Sequence, residues 1–199
     1  MQILRIDSAT TGDDSVSGRL TQMLLDHFTA KHPDATVISH DYGTDPLPHL
    51  DPVTTGAIRR PEEARTPEMQ AAFAKERAVL DEFLASDIVI LGAPMYNFTI
   101  PSQLKAWIDR LGVPRVTFAY DENGPKGLAG GRRVIVASSR GGDYEQGGAG
   151  EHQETYLKTV FNFLGIDPEF VTVNKAGYGP EAVEAGLCLL YTSPSPRDS

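Results

Sequence analysis

The chain has 199 residues, with 18 Lys and Arg residues against 27 Asp and Glu residues, which leaves a net charge of −9. This length predicts a single domain with its own core, and the negative charge argues against nucleic-acid binding because phosphate backbones are repelled. One cysteine excludes an intrachain disulfide, and the five histidines show no metal-ligand spacing. No apolar run is long enough for a membrane span and no signal peptide is recognisable, so we expect a cytoplasmic protein.

Short apolar runs alternate with amphipathic segments along the chain. Helices are predicted to begin at Ser15 and Thr66, because each is a capping residue in front of a helical apolar pattern. Strands are predicted at residues 2–6, 36–39, 87–91, 132–138 and 169–173, and further helices at 102–111, 151–164 and from 181. The repeated βα order predicts one three-layer α/β domain around a five-stranded parallel sheet.

Two segments stand apart from this pattern. Residues 51–67 are predicted to form a long irregular connection, which makes them a candidate functional loop. Residues 188–199 contain two prolines and resemble a translated sequencing adaptor. We therefore expect the domain to cover residues 1–187, the tail 188–199 to be non-native or disordered, and the last helix to be truncated.

The loops that follow the first, third and fourth strands carry unusual residues. Ser15 and Ser17 stand at a helix start, where N–H groups and hydroxyls favour an anion, although Ser15 as a simple helix cap is the alternative. Residues 95–98 place Tyr96, Asn97 and Phe98 in a turn, which suits a planar heteroaromatic ligand or, alternatively, a loop that fills its own apolar gap. Residues 138–142 end in paired glycines, which let backbone approach a flat ligand or form a plain flexible loop.

Other motifs are absent or unconvincing. The chain has no Gly-x-Ser-x-Gly nucleophile motif and no phosphate loop that ends in Gly-Lys-Ser/Thr. Residues 177–182 match Gly-x-Gly-x-x-Ala, but they lie too near the end of the chain for a following βαβ unit. We therefore expect neither a nucleophilic side chain nor a Rossmann dinucleotide site.

A set of short motifs occurs in order and at fitting spacing along the chain. These are Ser15–Ser17, Ala93–Phe98, Gln103–Asp109, Val116–Phe118, Gly124–Gly127, Ser139–Gly142 and Gly177–Pro180. Together they resemble the FMN-dependent NADH-azoreductases, also called FMN-dependent NADH:quinone oxidoreductases. The resemblance implies a flavodoxin-like fold with strand order 2-1-3-4-5 and helices on both faces. It also implies a homodimer with one tightly bound FMN per subunit near the interface, whereas the expectation of no metal site rests on the cysteine and histidine pattern.

The resemblance also assigns roles to residues of the three loops. Ser15, Val16 and Ser17 are expected to hold the FMN phosphate. Met95, Tyr96, Asn97 and Phe98 are expected to line the ribityl chain and the flavin ring, and Ser139, Arg140, Gly141 and Gly142 to contact the ring edge. Ala9 departs from the family, where many relatives have a serine, and Pro114–Arg115 replaces a more usual Ala-Gly-like pair.

The activity that the resemblance implies is a ping-pong hydride transfer. NADH reduces FMN, and a quinone or an aromatic azo compound then takes the electrons, so no catalytic side chain is required. Asn97, Phe118, Tyr120 and Arg59 are the candidates for orienting the second substrate. Phe161 or Phe163 are further candidates for its walls, with a place in the core as the alternative for both.

Two other functions remain open from the sequence. The first is a flavodoxin-type FMN electron carrier without pyridine-nucleotide turnover, which would leave residues 51–67 and 118–120 without a purpose. The second is a flavin-free scaffold whose loops are only structural.

Overall fold

The computed structural model describes residues 1–145 and 148–192, and its centre is a parallel β-sheet. The five strands of the sheet are β1 (Gln2–Asp7), β2 (Thr36–Asp41), β3 (Ile88–Pro94), β6 (Arg133–Ser139) and β7 (Glu169–Val173), and a hairpin of β4 (Phe118–Asp121) and β5 (Gly124–Gly127) lies outside it. Their order in space is β2-β1-β3-β6-β7, and every neighbouring pair is parallel. The flavodoxin-like order 2-1-3-4-5 is thereby confirmed for the main sheet.

Six α-helices within the described residues cover the two faces of this sheet. They are α1 (Val16–Lys31), α2 (Pro52–Arg59), α3 (Pro67–Ala85), α4 (Ser102–Leu111), α5 (Gln153–Phe163) and α6 (Pro180–Thr192). One face packs against α3, α4 and α5, which contribute Phe83, Trp107 and Phe161 to the largest apolar cluster. The other face packs against α1 and α6, which bury Leu20 and Leu187. No helix in the described part of the chain combines the length and apolar character of a membrane span.

The predicted helix starts are confirmed by their capping contacts. The Ser15 Oγ accepts the N–H of Gly18 at 2.9 Å, and the Thr66 Oγ1 accepts the N–H of Met69 at 3.3 Å. Pro67 occupies the first position of α3, where its missing N–H costs nothing. Both helices therefore begin where local side-chain chemistry satisfies the exposed N–H groups.

The prediction of an irregular loop at residues 51–67 is wrong. The segment contains α2 and a 3-10 turn at Glu62–Ala64. Asp51 and Thr54 form a capping box, in which the Asp51 carboxylate accepts the N–H of Thr54 at 2.7 Å and the Thr54 hydroxyl oxygen accepts the N–H of Asp51 at 2.9 Å. Gly56 permits close packing, because a Cβ there would lie 2.4 Å from the Met69 Cε.

The hairpin of β4 and β5 is a second element absent from the sequence prediction. It packs on the turn that follows α5, where a Cβ on Gly127 would lie 2.1 Å from the N of Gly165. The Phe118 ring lies 4.6 Å from the Phe163 ring between centroids. The hairpin is therefore anchored by backbone contact on one side and by aromatic packing on the other.

The final helix extends past the boundary expected at residue 187. α6 continues to Thr192, and its Val183 and Leu187 are buried in the cluster that contains Val173. The rest of the predicted tail, residues 193–199, lies outside the described residues. Whether residues 188–199 are native stays a prediction.

Candidate functional site

The loops after β1, β3 and β6 meet at the carboxyl edge of the sheet. The Ser8 hydroxyl donates to the Gly92 carbonyl at 2.6 Å, and the Thr10 N–H donates to the Tyr96 hydroxyl oxygen at 2.9 Å. The Met95 N–H donates to the Ser139 carbonyl at 2.8 Å. The three loops singled out in the sequence therefore form one crevice, as expected for the carboxyl edge of an open α/β sheet.

The first loop ends in a helix start with free donors. Ser15 and Ser17 are buried, and their hydroxyl oxygens lie 3.2 Å apart. Among the described residues, no acceptor receives the N–H of Val16 or of Ser17. The Val16 side chain packs against the α1–α6 cluster, so this residue offers a ligand only its backbone. Two N–H groups, two hydroxyls and the positive end of α1 thus form a candidate anion-binding site.

A cavity of about 320 Å³ opens beside this helix start and is lined by both signs of charge. Arg5, Asp7, Asp41 and Arg19 are among the residues in its wall. Burial raises the pKa of Asp7, although hydrogen bonding from Thr21 and the charge of Arg5 partly oppose that effect. The cavity wall, which also includes Asp13 and Ser15 beside the start of α1, is therefore electrostatically mixed.

The second loop is a tight turn with two residues in the left-handed region. Asn97 has φ of 48° and Phe98 has φ of 72°. Tyr96 and Thr99 close the turn through paired backbone hydrogen bonds of 2.8 and 3.1 Å. Because a left-handed non-glycine residue costs on the order of 1–3 kcal/mol, this conformation is held by its surroundings. The turn leaves Asn97 and Phe98 exposed, with Phe98 52% accessible.

The third loop presents backbone rather than side chains. Within the described ranges, the N–H groups of Gly141 and Gly142 donate to no protein acceptor. The expected contact of Arg140 with a ligand is not available to its side chain, which is only 2% exposed and turned into the protein. Arg140 can therefore contribute to the crevice through its backbone alone.

Arg140 belongs to a buried polar network that the sequence analysis missed. Its guanidinium lies 3.3 Å from the Glu151 carboxylate and 3.1 Å from the Glu154 carboxylate. Gln153 joins the network to the sheet, since its Nε2 donates to the Ala93 carbonyl at 2.7 Å and its Oε1 accepts from the Arg140 Nε at 3.3 Å. The signal in the sequence is an arginine directly after a buried strand, followed by Glu-His-Gln-Glu at a helix start.

Glu151 is ionised within this network despite its burial. Burial alone would raise the pKa of Glu151, but the N–H groups of Glu154 and Thr155 and the charge of Arg140 outweigh it and hold the pKa below the ordinary value of 4.5. The carboxylate also accepts the N–H of Gln153 at 3.0 Å. The charge of Arg140 is therefore matched inside the protein and is not left for a ligand.

Most of the predicted substrate-orienting residues do not reach this crevice in the same chain. α5 starts at Gln153 beside β3, and its 11 residues carry the chain about 16 Å to the other end. The Phe118 ring contacts Phe163 at that far end, and the Tyr120 ring stacks edge-on against Phe118 at 5.8 Å. Arg59 donates to the Asp109 carbonyl at 3.3 Å, near the end of α4.

Of the remaining candidates, one lies in the crevice and one is excluded. Asn97 stands at the centre of the exposed turn, where its amide is available to a ligand. Phe161 is fully buried in the main core, so of the two roles predicted for it the place in the core is confirmed and the substrate wall is excluded. The described residues also contain no group of three or more His, Cys, Asp or Glu side chains that could hold a metal ion.

Comparisons with known proteins agree with this geometry. Residues 1–187 match the family model described as flavodoxin-like fold. An FMN-dependent NADH:quinone oxidoreductase of Methylorubrum populi is 47% identical over 192 residues, covering 94% of each chain, and one of Sinorhizobium fredii is 50% identical, covering 91% of this chain and 89% of its own. An FMN-dependent NADH-azoreductase from Bacillus anthracis, crystallised in complex with FMN, is 28% identical with a TM-score of 0.79, covering 94% of this chain and 98% of its own. The chain therefore belongs to the flavodoxin-like family of FMN-dependent NADH:quinone oxidoreductases.

Proposed function

We propose that this protein uses FMN and NADH to reduce quinones and to cleave the azo bond of aromatic azo compounds. The observation that carries the proposal is the crevice itself. It places free N–H donors at the start of α1 and at Gly141–Gly142, on either side of the exposed Asn97–Phe98 turn. The substrate classes come from the names of the relatives.

The donor set fits the parts of FMN. A phosphate dianion is matched by the N–H groups of Val16 and Ser17 and by the hydroxyls of Ser15 and Ser17. Met95, Tyr96, Asn97 and Phe98 would line the ribityl chain and the ring. Ser139 and the N–H groups of Gly141 and Gly142 would contact the ring edge. The Arg140 side chain would not touch the ring and would support this loop through its buried polar network.

When bound, FMN would supply the redox chemistry by accepting a hydride from NADH and passing the electrons to the second substrate in ping-pong order. The residues of this chain bind and orient. We propose that Asn97 orients both the ring and the substrate, because its amide can donate and accept and its turn is closed by the paired hydrogen bonds of Tyr96 and Thr99. No nucleophilic side chain is needed for such chemistry.

We also propose that the protein acts as a homodimer with the site near the interface. Tyr120 is 71% exposed and Leu128 is 44% exposed, and both belong to the hairpin region at the far end of α5. Residues 59, 118, 120 and 163 can serve as substrate walls only if a second copy brings them to the crevice. The cytoplasmic location stays a prediction from the sequence.

The test is a two-step absorbance experiment on the full chain. The protein is purified with added FMN, mixed with NADH without oxygen, and then mixed with a benzoquinone. Flavin bleaching by NADH followed by reoxidation on quinone is the expected result. Retained flavin that NADH does not reduce would favour the electron-carrier alternative, and absence of bound flavin would contradict the proposal.

The role of Asn97 has its own variant. Asn97→Ala should weaken FMN binding and slow quinone turnover, while Gln70→Ala, which removes an exposed amide on α3, should change neither. Unchanged affinity and turnover in Asn97→Ala would show that the residue orients neither ligand.

A further inference from the structure

The segment that follows β7 is not used by the proposed function, although its glycines stand out in the sequence. It lies along the third loop of the crevice and makes three backbone hydrogen bonds to it. The N–H groups of Ala176, Gly177 and Lys175 donate to the carbonyls of residues 140, 141 and 142 at 2.9, 3.0 and 2.9 Å, respectively. The Lys175 Nζ also lies 2.8 Å from the Asp143 carboxylate.

These contacts determine where the neighbouring N–H groups point. In a trans peptide the C=O and the following N–H point in opposite directions within one plane, and the described residues contain no cis peptide bond. When Ala176 binds the Arg140 carbonyl, the N–H of Gly141 must therefore point away from the segment. The contact of Gly177 with the Gly141 carbonyl turns the N–H of Gly142 in the same way.

Gly177 is required for this close approach. A Cβ at this position would lie 2.9 Å from the Gly141 carbonyl oxygen and 3.5 Å from its carbon and Cα. The backbone of Gly177 is not left-handed, so the requirement is for space rather than for conformational freedom. A methyl group here would force the two backbone segments, residues 140–142 and 175–177, apart.

We infer that Gly177 is a positioning residue, which allows residues 175–177 to aim the N–H groups of Gly141 and Gly142 at the edge of the flavin ring. The inference rests on the proposed function, because it assumes that the third loop contacts FMN. Donors aimed in advance bind without an ordering cost, and they stabilise negative charge that the ring gains on reduction.

The experiment compares Gly177→Ala with Gly112→Ala in the full chain. Gly112 is the matched control because a Cβ there meets nothing within 4 Å and its φ is −80°. FMN affinity is measured by fluorescence quenching, apoprotein stability by thermal melting, and the midpoint potential of bound FMN at saturating FMN. We expect Gly177→Ala to bind FMN about tenfold more weakly, as for about one lost hydrogen bond, with a more negative potential of the bound flavin; the melting temperature of the apoprotein should also fall, because the two backbone segments are forced apart.

The potential decides between a positioning and a merely structural role. A variant that is only less stable would still hold the flavin with an unchanged potential once FMN is saturating. An unchanged potential would therefore overturn the inference, even if the affinity fell. Absence of FMN binding by the wild-type protein would contradict the proposed function instead, so the two failures are distinguishable.

Discussion

The two ends of α5 differ sharply in chemistry. At its start, Gln153 and Glu154 join Arg140 in a buried polar network beneath the crevice. At its end, Phe163 packs against Phe118 of the hairpin, whose neighbour Tyr120 is mostly exposed. Hydrogen bonds in the buried network specify one arrangement, whereas aromatic packing tolerates several. A single helix thus supports a defined ligand site at one end and an adaptable apolar surface at the other.

The largest expected effect comes from breaking the polar end. Arg140→Met would leave the buried Glu151 carboxylate without its counter-charge and would leave Glu154 paired with Lys158 alone, so we expect a loss of about 3–5 kcal/mol in the free energy of unfolding, measured in urea. Arg19→Met is the control, because the exposed Arg19–Glu184 pair should contribute less than about 1 kcal/mol. Equal losses in the two variants would show that the network does not hold this end together.

The apolar end is probed by two aromatic truncations. Phe161→Ala should cost about 3–5 kcal/mol of unfolding free energy, because the ring is completely buried. Tyr120→Ala should change that free energy by no more than about 0.5 kcal/mol and yet slow quinone turnover, because the exposed ring would act on a second copy. A large loss of stability in Tyr120→Ala, or normal turnover, would contradict this division.

The pH dependence of stability tests whether the charge of Glu151 stabilises the polar end of α5. The native pKa of Glu151 lies below 4.5, so the stability that its charge contributes is present above the unfolded pKa and is lost as the pH falls through the native pKa. Glu151→Gln should therefore be less stable than the wild type at neutral pH, and the difference should shrink in acid. Denaturant titrations across this range would test it, and a difference that stays constant with pH would exclude this origin.

The smallest effect is expected near the hairpin, at Arg115. This residue has φ of 64°, a left-handed conformation that glycine adopts without strain. Arg115→Gly should raise the free energy of unfolding by about 1 kcal/mol or less, because relief of strain is partly offset by the greater freedom of the unfolded chain. A clear loss of stability in thermal melts would indicate that the Arg115 side chain contributes contacts of its own.

Local signals predicted the elements that depend on local chemistry. Ser15 and Thr66 begin helices because their hydroxyls satisfy N–H groups nearby, and the buried strands are continuous apolar runs. Helix α2 could also have been predicted from the sequence, since Asp51 and Thr54 stand at capping-box spacing around a proline. The prediction of an irregular connection at residues 51–67 does not use this spacing.

Long-range relations were not readable in the same way. Sequence spacing does not show that the hairpin docks on Gly165, at the far end of α5, so the distance of Phe118 and Tyr120 from the crevice of the same chain could not be read from it. The inward direction of Arg140 likewise depends on Glu151 and Glu154, which follow it by 11 and 14 residues. Such partners become visible only when the fold is known.

Several of the donors that face the crevice are main-chain N–H groups, and this bears on how the protein can change. Replacement of Val16 alters packing but leaves its N–H in place, so this donor would survive substitution, whereas the hydroxyls of Ser15 and Ser17 would not. The Asn97–Phe98 turn is different, because its exposed side chains, and not only its backbone, would meet the ring and the substrate. A mutant library directed at Phe98, with Asn97 kept, could therefore explore new acceptor molecules, while the main-chain donors of the cofactor site would be retained as long as the path of the chain is unchanged.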